Sequence, residues 1–476
     1  MTGSASYRLD ELGWLQFDRL CSLVLEADTG FPGVQWSGHG DIARIARVDG
    51  PLTLRERGHQ LGGPVTVAGL WVREGPILER RLSEFTDRVL SLPADRARWL
   101  LVMTNLDTAE AREALRADPL GQDLRVVLLG APEISASLDR DPGVRAAMPS
   151  VLGLRDLDEL IEPGVRGRSS LDVARAQELA RVFWPTRAYD RARDVLERHR
   201  FVVLTGPPEM GKTAIAEMLA LAALTDGWEA HQCNDPDHVW GVLDRDRRQV
   251  FIADDAFGST EYRPDAAERW ARGLGRLLEM LDSKHWLIWT SRPAPLKAGL
   301  RRVQRESGSE RFPAPGEVLV DAGDLDLADK TLILFRHAKD HGAVGMARRL
   351  VRSAGLSIVE HPHFTPERIR RFVIDRLDEL EGLIGDERRL LRLIEEELAS
   401  PTEAMRTSFG ALESEHRELL ISLLDAPTGL IDERELAAVV RRHHAGGLSR
   451  PVCDLIDRLT DHFLRVTPLG IGWVHP

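Results

Sequence analysis

One eight-residue segment, GPPEMGKT at residues 206–213, constrains the fold of this 476-residue chain more than any other feature. It fits the pattern G-x-x-x-x-G-K-[ST], with the apolar run FVVLT directly before it and the stretch AIAEMLALAAL directly after it. A strand, a glycine loop and a helix in this order direct backbone N–H groups toward phosphate oxygens. The segment therefore predicts a phosphate-binding loop within an α/β domain.

Charge and donor chemistry give two side chains of the loop distinct roles. Lys212 would supply a compact positive charge to the β- and γ-phosphates, and the Thr213 hydroxyl would complete the ligand shell of Mg²⁺. An eight-residue match alone also fits a glycine turn before a helix, but the flanking strand and helix favour the phosphate site. The predicted cofactor-binding residues are Gly206, Pro207, Pro208, Glu209, Met210, Gly211, Lys212, Thr213 and Ala214.

Two further apolar runs end in side chains that suit phosphate chemistry. The run VFIADD ends at Asp254 and Asp255, and the run WLIWTSR ends at Arg292. Asp254 is predicted to hold Mg²⁺ directly or through water, and Asp255 to orient or activate the attacking water. Arg292 is predicted to sense the γ-phosphate and to stabilise the charge that develops on transfer. Alone, the two aspartates would fit a solvated strand end; beside the loop, they favour a catalytic site.

The alternation of short apolar runs with helical patterns predicts an α/β chain of several domains. Residues 1–161 read as a small α/β domain, and 162–180, rich in Gly, Ser and Arg, as a linker. Residues 181–327 read as a doubly wound domain with a parallel sheet, and 328–403 as helical. Residues 404–476 show three helical patterns and then a hairpin-like end, which predicts a winged helix.

Three individual elements are also predicted from these patterns. They are an amphipathic helix over residues 9–27, a strand over 317–321 and a last helix over 452–466.

Residues from about 180 to 345 resemble the STAND-class signal-transduction NTPases, most closely a bacterial subgroup called novel STAND NTPases. The resemblance rests on FWPTRAY, the phosphate loop, QVFIADDAFGSTEY and HWLIWTSRPAPLKAG. It implies ATP, ADP and Mg²⁺ as cofactors of a slowly hydrolysing switch in bacterial defence or conflict signalling. The switch would be closed with ADP and a homo-oligomer with ATP. The helical and winged-helix segments would form a lid, and FWPTRAY would help to shape the adenine pocket.

Relatives of this kind usually carry a long repeat array after the winged helix, which serves as a sensor. No such array occurs in the sequence up to Pro476. We therefore expect another domain, or a separate sensor or effector protein, to read the trigger.

Residues from about 7 to 161 are similar to Mrr-like restriction-endonuclease domains, through YRLDELGWLQFDRLC, PVTVAGLWVRE and GAPEISASLDRDPGV. Such domains hold catalytic Mg²⁺ with an acidic residue and a (Glu/Gln)-x-Lys pair. Asp41 matches the first acid, but the pair falls on residues 68–70, which are Ala, Gly and Leu. The domain is therefore expected to be an inactive sensor or interaction platform. Substitution by Arg73 and Glu74 would instead support the alternative, an ATP-regulated DNA endonuclease.

Composition sets the remaining expectations. The formal net charge of −12 argues against coating of nucleic acid, although it leaves a local basic patch open. No run approaches the ~20 apolar residues of a membrane span, and the first residues do not fit a secretory signal. Cys21, Cys233 and Cys453 are too far apart in sequence for a disulfide framework or a CxxC site. The expected location is the cytoplasm.

Overall fold

A computed structural model divides the chain into two units, Met1–Gly164 and Val165–Pro476. The structure describes residues 7–31, 34, 36, 44–48, 51–54, 58–62, 64–72, 99–109, 125–258, 264–293, 295–297, 299–301, 315–342, 344–383, 386–399, 406, 409–410, 412–424, 430–443, 448–460, 463–467 and 470–473. The division falls inside the segment predicted to be a linker, and the other predicted boundaries stay predictions.

The first unit contains a four-stranded sheet. Its strands and those of a separate small pair are β1 (Arg44–Val48), β2 (Leu52–Leu54), β3 (His59–Leu61), β4 (Val65–Leu70), β5 (Trp99–Thr104) and β6 (Arg125–Leu129). The sheet has the order β1-β4-β5-β6, with β1 antiparallel to β4 and the other pairs parallel; β2 pairs with β3. Every residue of β4 is buried, as expected for an apolar strand in the interior of a sheet.

Helices complete the first unit. They are α1 (Trp14–Thr29), α2 (Ala131–Arg140) and α3 (Pro142–Ala147), with 3-10 turns at Leu9–Glu11, Pro149–Leu154 and Leu157–Glu159. The prediction that the first helix starts at residue 9 was wrong, because Gly13 at φ 86° separates the turn from α1. Asp41, Arg73 and Glu74 lie outside the described residues, and the restriction-endonuclease likeness stays a prediction.

The second unit is built on a parallel five-stranded sheet. Its strands are β7 (Phe201–Thr205), β8 (Glu229–Gln232), β9 (Gln249–Ala253), β10 (His285–Thr290) and β11 (Leu319–Asp321). They have the order β11-β7-β10-β9-β8, and all neighbours are parallel. This confirms the predicted α/β class. Because the carboxyl ends of parallel strands lie at one edge, the segments after β7, β9 and β10 meet there.

The helices of this part of the chain lie before the first strand of the sheet or between its strands. They are α4 (Pro163–Arg168), α5 (Val173–Val182), α6 (Arg187–His199), α7 (Lys212–Thr225), α8 (Pro236–Val242), α9 (Pro264–Met280) and α10 (Pro315–Val318). The strand predicted over 317–321 was wrong at its start, because Pro315 opens a short helix. Only residues 319–321 pair with β7.

The helical segment after the sheet forms its own core. Its helices are α11 (Leu327–His341), α12 (Val344–Val359), α13 (Pro366–Leu383) and α14 (Glu387–Ala399). Each presents an apolar stripe, and Leu334, Leu350, Ile369 and Leu398 are fully buried where the stripes meet. This confirms the predicted helical region.

The last described residues form three helices and two strands. They are α15 (Ser414–Leu423), α16 (Glu433–His443), α17 (Val452–Leu459), β12 (Leu464–Thr467) and β13 (Gly470–Trp473). The helix predicted over 452–466 was wrong beyond Leu459, because residues 464–467 pair antiparallel with β13. The order of elements is the one that a winged helix requires, and that assignment stays a prediction. Among the described helices, none combines the length and the apolar composition that a membrane span requires.

Candidate functional site

The phosphate loop runs from the end of β7 to the first turn of α7 and depends on its two glycines. Gly206 has φ 132°, and a Cβ there would lie 2.8 Å from Oδ1 of Asp321 in the neighbouring strand β11. Gly211 has φ 85° with open space around it. Glycine is therefore needed at the first position for conformation and space, and at the second for conformation alone.

Lys212 opens α7 and folds its side chain back across the loop. Its ammonium group donates hydrogen bonds to the carbonyl oxygens of Gly206, at 2.9 Å, and Pro207, at 2.7 Å. Burial, together with the nearby Arg292, lowers the pKa of Lys212 to about 8, although neighbouring carboxylates oppose the shift. Phosphate oxygens are stronger partners for an ammonium than neutral carbonyls are. Lys212 is thus placed to gain from an anionic ligand in the loop.

Asp254 connects three elements at the edge of the sheet. It follows β9 directly, and its Oδ1 accepts hydrogen bonds from the hydroxyls of Thr213, at 2.9 Å, and Thr290, at 2.5 Å. Carboxylate and hydroxyl oxygens are the ligand type that Mg²⁺ prefers. Among the described residues, no cluster of three or more His, Cys, Asp or Glu could hold a metal. Mg²⁺ at Asp254 and Thr213 would therefore draw further ligands from phosphate and water, as is usual for this ion.

Asp255 lies beside Asp254 in an uncommon conformation. Its φ is 46°, in the left-handed region, and its backbone N–H donates to the Thr290 hydroxyl at 2.9 Å. Burial, together with the charge of Asp254, raises the pKa of Asp255 to about 6, against the opposing effect of Arg292 and Lys212. A carboxyl group that titrates close to neutral pH is suited to accept a proton from water.

Arg292 follows β10 and completes the charged edge of the site. Burial lowers the pKa of its guanidinium, while Asp255 and Glu209 raise it. A guanidinium stays charged at any physiological pH. Arg292 therefore lies as a cation among carboxylates and close to Lys212, where an additional anion would be favourable.

A cavity of about 780 Å³ extends from the loop to three helices. Its apolar wall is formed by the side chains of Leu179 and Val182 on α5, and of Val373 and Ile374 on α13. His337 on α11 also lines it, and burial lowers the pKa of this imidazole to about 4. Pockets of this volume hold ligands of nucleotide size.

The predicted site residues divide into two groups by position. Those that line the cavity are Pro208, Glu209, Gly211, Lys212, Thr213, Ala214, Asp255 and Arg292. Gly206, Pro207, Met210 and Asp254 are not among the lining residues. The carbonyl oxygens of Gly206 and Pro207 accept hydrogen bonds from Lys212, and Asp254 accepts one from Thr213. These three residues are therefore hydrogen-bonded to residues that line the cavity.

The sequence did not predict the apolar wall of the cavity or the role of Thr290, whose hydroxyl is hydrogen-bonded to Asp254 and Asp255. The apolar wall comes from α5, which lies directly before FWPTRAY, and from α13, whereas Trp184 of FWPTRAY donates to Asp329 on α11 at 2.9 Å. No short motif marks α5, α11 or α13. Thr290 could have been found, because it is the first polar residue after the apolar run WLIW.

Residues 183–340 match the family model Novel STAND NTPase 3. The matched segment includes the phosphate loop, both aspartates and Arg292, and it confirms the resemblance noted above for this part of the chain. It covers less than half of the sequence. No curated protein matches the chain.

Several solved structures resemble this chain weakly. The Walker-type ATPase of Pyrococcus abyssi is 13% identical with a TM-score of 0.38, over 62% of this chain and 94% of that one. NtrX from Brucella abortus, in complex with ADP, is 14% identical with a TM-score of 0.29, over 83% and 86%. The replication initiator DnaA, bound to AMPPCP and single-stranded DNA, is 15% identical with a TM-score of 0.29, over 58% and 88%. These likenesses are too weak to support an argument about function.

Proposed function

We propose that the nucleotide-binding domain at residues 183–340, which matches the novel STAND NTPases, is a switch that binds ATP with Mg²⁺ and hydrolyses it slowly. One observation carries the proposal. Lys212, Asp255 and Arg292, which lie in the segments that follow three different strands, line one cavity of nucleotide size.

Binding would use the loop and the two oxygen donors next to it. Backbone N–H groups at the start of α7 and the Lys212 ammonium would hold the β- and γ-phosphates. Thr213 and Asp254 would hold Mg²⁺, which supplies positive charge to the phosphate oxygens. The apolar side chains on α5 and α13 would contact the base. Burial of the phosphates in the cavity would strengthen each of these charged interactions.

Hydrolysis would use Asp255 and Arg292. The oxygen of a water molecule forms a bond to the γ-phosphorus, the bond to the β–γ bridging oxygen breaks, and ADP and phosphate result. Asp255 orients the water and accepts its proton, since a pKa of about 6 leaves most of this carboxylate ionised at neutral pH. Arg292 stabilises the negative charge on the transferred group.

Signalling would follow from the helices that enclose the cavity. Because α11 and α13 both line it, exchange of ADP for ATP changes contacts made by the helical segment. By likeness to the family, the ATP form would assemble into a homo-oligomer, and a separate sensor or effector protein would take part. A role in bacterial defence or conflict signalling, in the cytoplasm, belongs to the same proposal.

Lys212→Ala tests the phosphate site. The variant keeps the backbone of the loop but loses its main counter-charge, so we expect ATP affinity to fall at least about tenfold, or about 1.4 kcal/mol. Equilibrium titration with a fluorescent ATP analogue measures it. Lys297→Ala is a matched control, because Lys297 is an exposed lysine outside the cavity lining. Equal affinity of the Lys212 variant and the native protein would show that ATP phosphates bind elsewhere.

For the first unit, we propose a sensor or interaction role and no DNA cleavage. In support, Ala68 and Leu70 occupy the (Glu/Gln)-x-Lys positions on β4, a fully buried strand without ionisable side chains. Cleavage would require two acids on a metal and a nearby cation. Supercoiled DNA incubated with the full chain and Mg²⁺ or Mn²⁺, with and without ATP, should stay intact. Nicking that disappears in Asp41→Ala would establish the endonuclease alternative.

A further inference from the structure

Glu209 is an unexpected residue inside a loop that is suited to phosphate. Its φ is 65°, a left-handed conformation, and its side chain is only 7% exposed. A buried carboxylate repels nearby phosphate charges unless a cation neutralises it. The structure supplies that cation from a helix 159 positions further along the chain, because Arg368 on α13 pairs with Glu209.

The first turn of α13 meets Glu209 through three contacts. Nε of Arg368 lies 3.5 Å from Oε2 of Glu209, and the Thr365 hydroxyl donates to the same oxygen at 3.4 Å. The backbone N–H of Glu367 donates to the Glu209 carbonyl at 3.5 Å. Thr365 also accepts from the Arg368 N–H at 3.2 Å and so caps α13. Both the backbone and the side chain of this loop residue are thus connected to one helix end.

Arg368 extends this connection into the core of the helical segment. Its side chain is 1% exposed, and its guanidinium also donates to the carbonyl of Leu398 near the end of α14. Burial lowers the pKa of Arg368, and Glu209 opposes that shift. Removing one partner from a buried ion pair leaves the other charge without compensation, which is strongly unfavourable. The loop and the helical segment therefore depend on each other.

The same helix also contributes to the apolar wall of the cavity. Val373 and Ile374 lie further along α13 than the contact with Glu209 and form part of this wall. A displacement of α13 would therefore change the apolar wall and the phosphate loop together.

We propose that Glu209, Thr365 and Arg368 form a tie between the phosphate loop and α13, through which the position of the helical segment sets nucleotide affinity. The inference rests on the proposed function, since it assigns the regulation of the same nucleotide site. Thr365 and Arg368 are positioning residues that act through Glu209, whereas α13 transmits the state of the helical segment to the loop. ADP and ATP both meet the loop through their β-phosphate, so the tie affects both nucleotides.

The test compares Arg368→Gln, Glu209→Gln and the double variant, with a fluorescent ADP analogue as the probe. Arg368→Gln removes the buried cation that pairs with Glu209 and so leaves more negative charge beside the phosphates, so we expect ADP affinity to fall at least about fivefold. Glu209→Gln removes that charge together with the tie, so the expected loss is smaller. The double variant should bind ADP more tightly than Arg368→Gln alone, because the two changes affect one interaction.

Arg376→Gln is a matched control on the same helix. Arg376 pairs with Glu397 on α14 at 2.9 Å, and neither residue is among those that line the cavity. We expect its ADP affinity to stay within about twofold of the native value, since exposed or half-exposed pairs contribute little. Circular dichroism and thermal unfolding establish that each variant is folded.

Equal ADP affinity of the Arg368→Gln and Arg376→Gln variants would overturn the tie. A double variant whose loss of ADP binding free energy equals the sum of the losses in the two single variants would also overturn it. If Arg368→Gln does not fold, Glu209→Gln alone decides: the tie requires faster ADP dissociation than in the native protein, and an unchanged rate refutes it. Failure of the proposed function has a different result, namely no nucleotide binding by the native protein or no effect of Lys212→Ala.

Discussion

Asp255→Asn should make the nucleotide-free protein more stable at neutral pH, although it removes a group proposed for catalysis. Burial and the adjacent Asp254 raise the pKa of Asp255 from 3.8 to about 6 in the folded protein. Between these values the folded state retains a proton that the unfolded state has lost. The free energy of unfolding therefore falls as the pH rises through this window, and the loss is complete above it.

The size of the effect follows from the shift in pKa. A shift of about two units corresponds to about 3 kcal/mol of unfavourable free energy for the ionised carboxylate. Asparagine has nearly the same shape without the charge, so up to this amount should be recovered. Asparagine also tolerates the φ of 46° at this position, whereas alanine would be strained there. The hydrogen bond to Thr290 comes from the backbone and is retained.

Urea unfolding of both proteins, without nucleotide or Mg²⁺, measures the effect. The variant should be more stable at about pH 8, and the difference should shrink as the pH falls to about 3, below the unfolded pKa of 3.8, where the native carboxyl is mostly protonated in both states. Phosphate release by the variant should fall by about 10²-fold, the usual scale for loss of a general base. A variant less stable than the native protein at pH 8 would refute the argument from burial. Unchanged phosphate release would refute the role in hydrolysis.

Two further expectations follow from groups near and far from the cavity. The Asp254→Asn variant should bind ATP almost equally with and without Mg²⁺, because it loses the carboxylate oxygen next to Thr213. Titration with ATP in Mg²⁺ and in chelator measures this. A variant whose affinity depends on Mg²⁺ as strongly as that of the native protein would contradict the expectation. A thiol reagent at mildly alkaline pH should modify Cys453, which is exposed, before the other cysteines. Burial raises the pKa of Cys21, and it raises that of Cys233 to about 12, so more than one adduct by intact mass would contradict this expectation.

The core of the site could be predicted from sequence because its parts are local. The loop, the strand before it and the helix after it occupy consecutive residues, and Asp254 and Arg292 each follow an apolar run. The rules for parallel sheets place such strand ends at one edge. The α/β class follows from the same alternation of apolar runs and helices.

The remaining parts of the site depend on contacts between distant residues, which no pattern in the chain records. The apolar wall joins residues near 180 to residues near 373. The pairing of Glu209 with Arg368 could not be predicted, because Arg368 lies in a run of several arginines that differ only in their tertiary surroundings. The predicted starts of α1 and β11 were wrong, because a single residue changes the backbone conformation before each of them: Gly13 before α1 and Pro315 before β11.

Because β10 lies between β7 and β9, the aromatic side chains packed around Trp289 help to fix the register of β10 against its two neighbours. Trp289 packs edge-on against Phe201, Phe257 and Trp270, with ring centroids 4.8–5.2 Å apart. Because successive side chains point to opposite faces of a strand, a slip of one residue would turn Trp289 out of this cluster. The same slip would move the Thr290 hydroxyl away from Asp254. An indole that is not among the residues lining the cavity thus fixes, by its size, which residue lies next to Asp254.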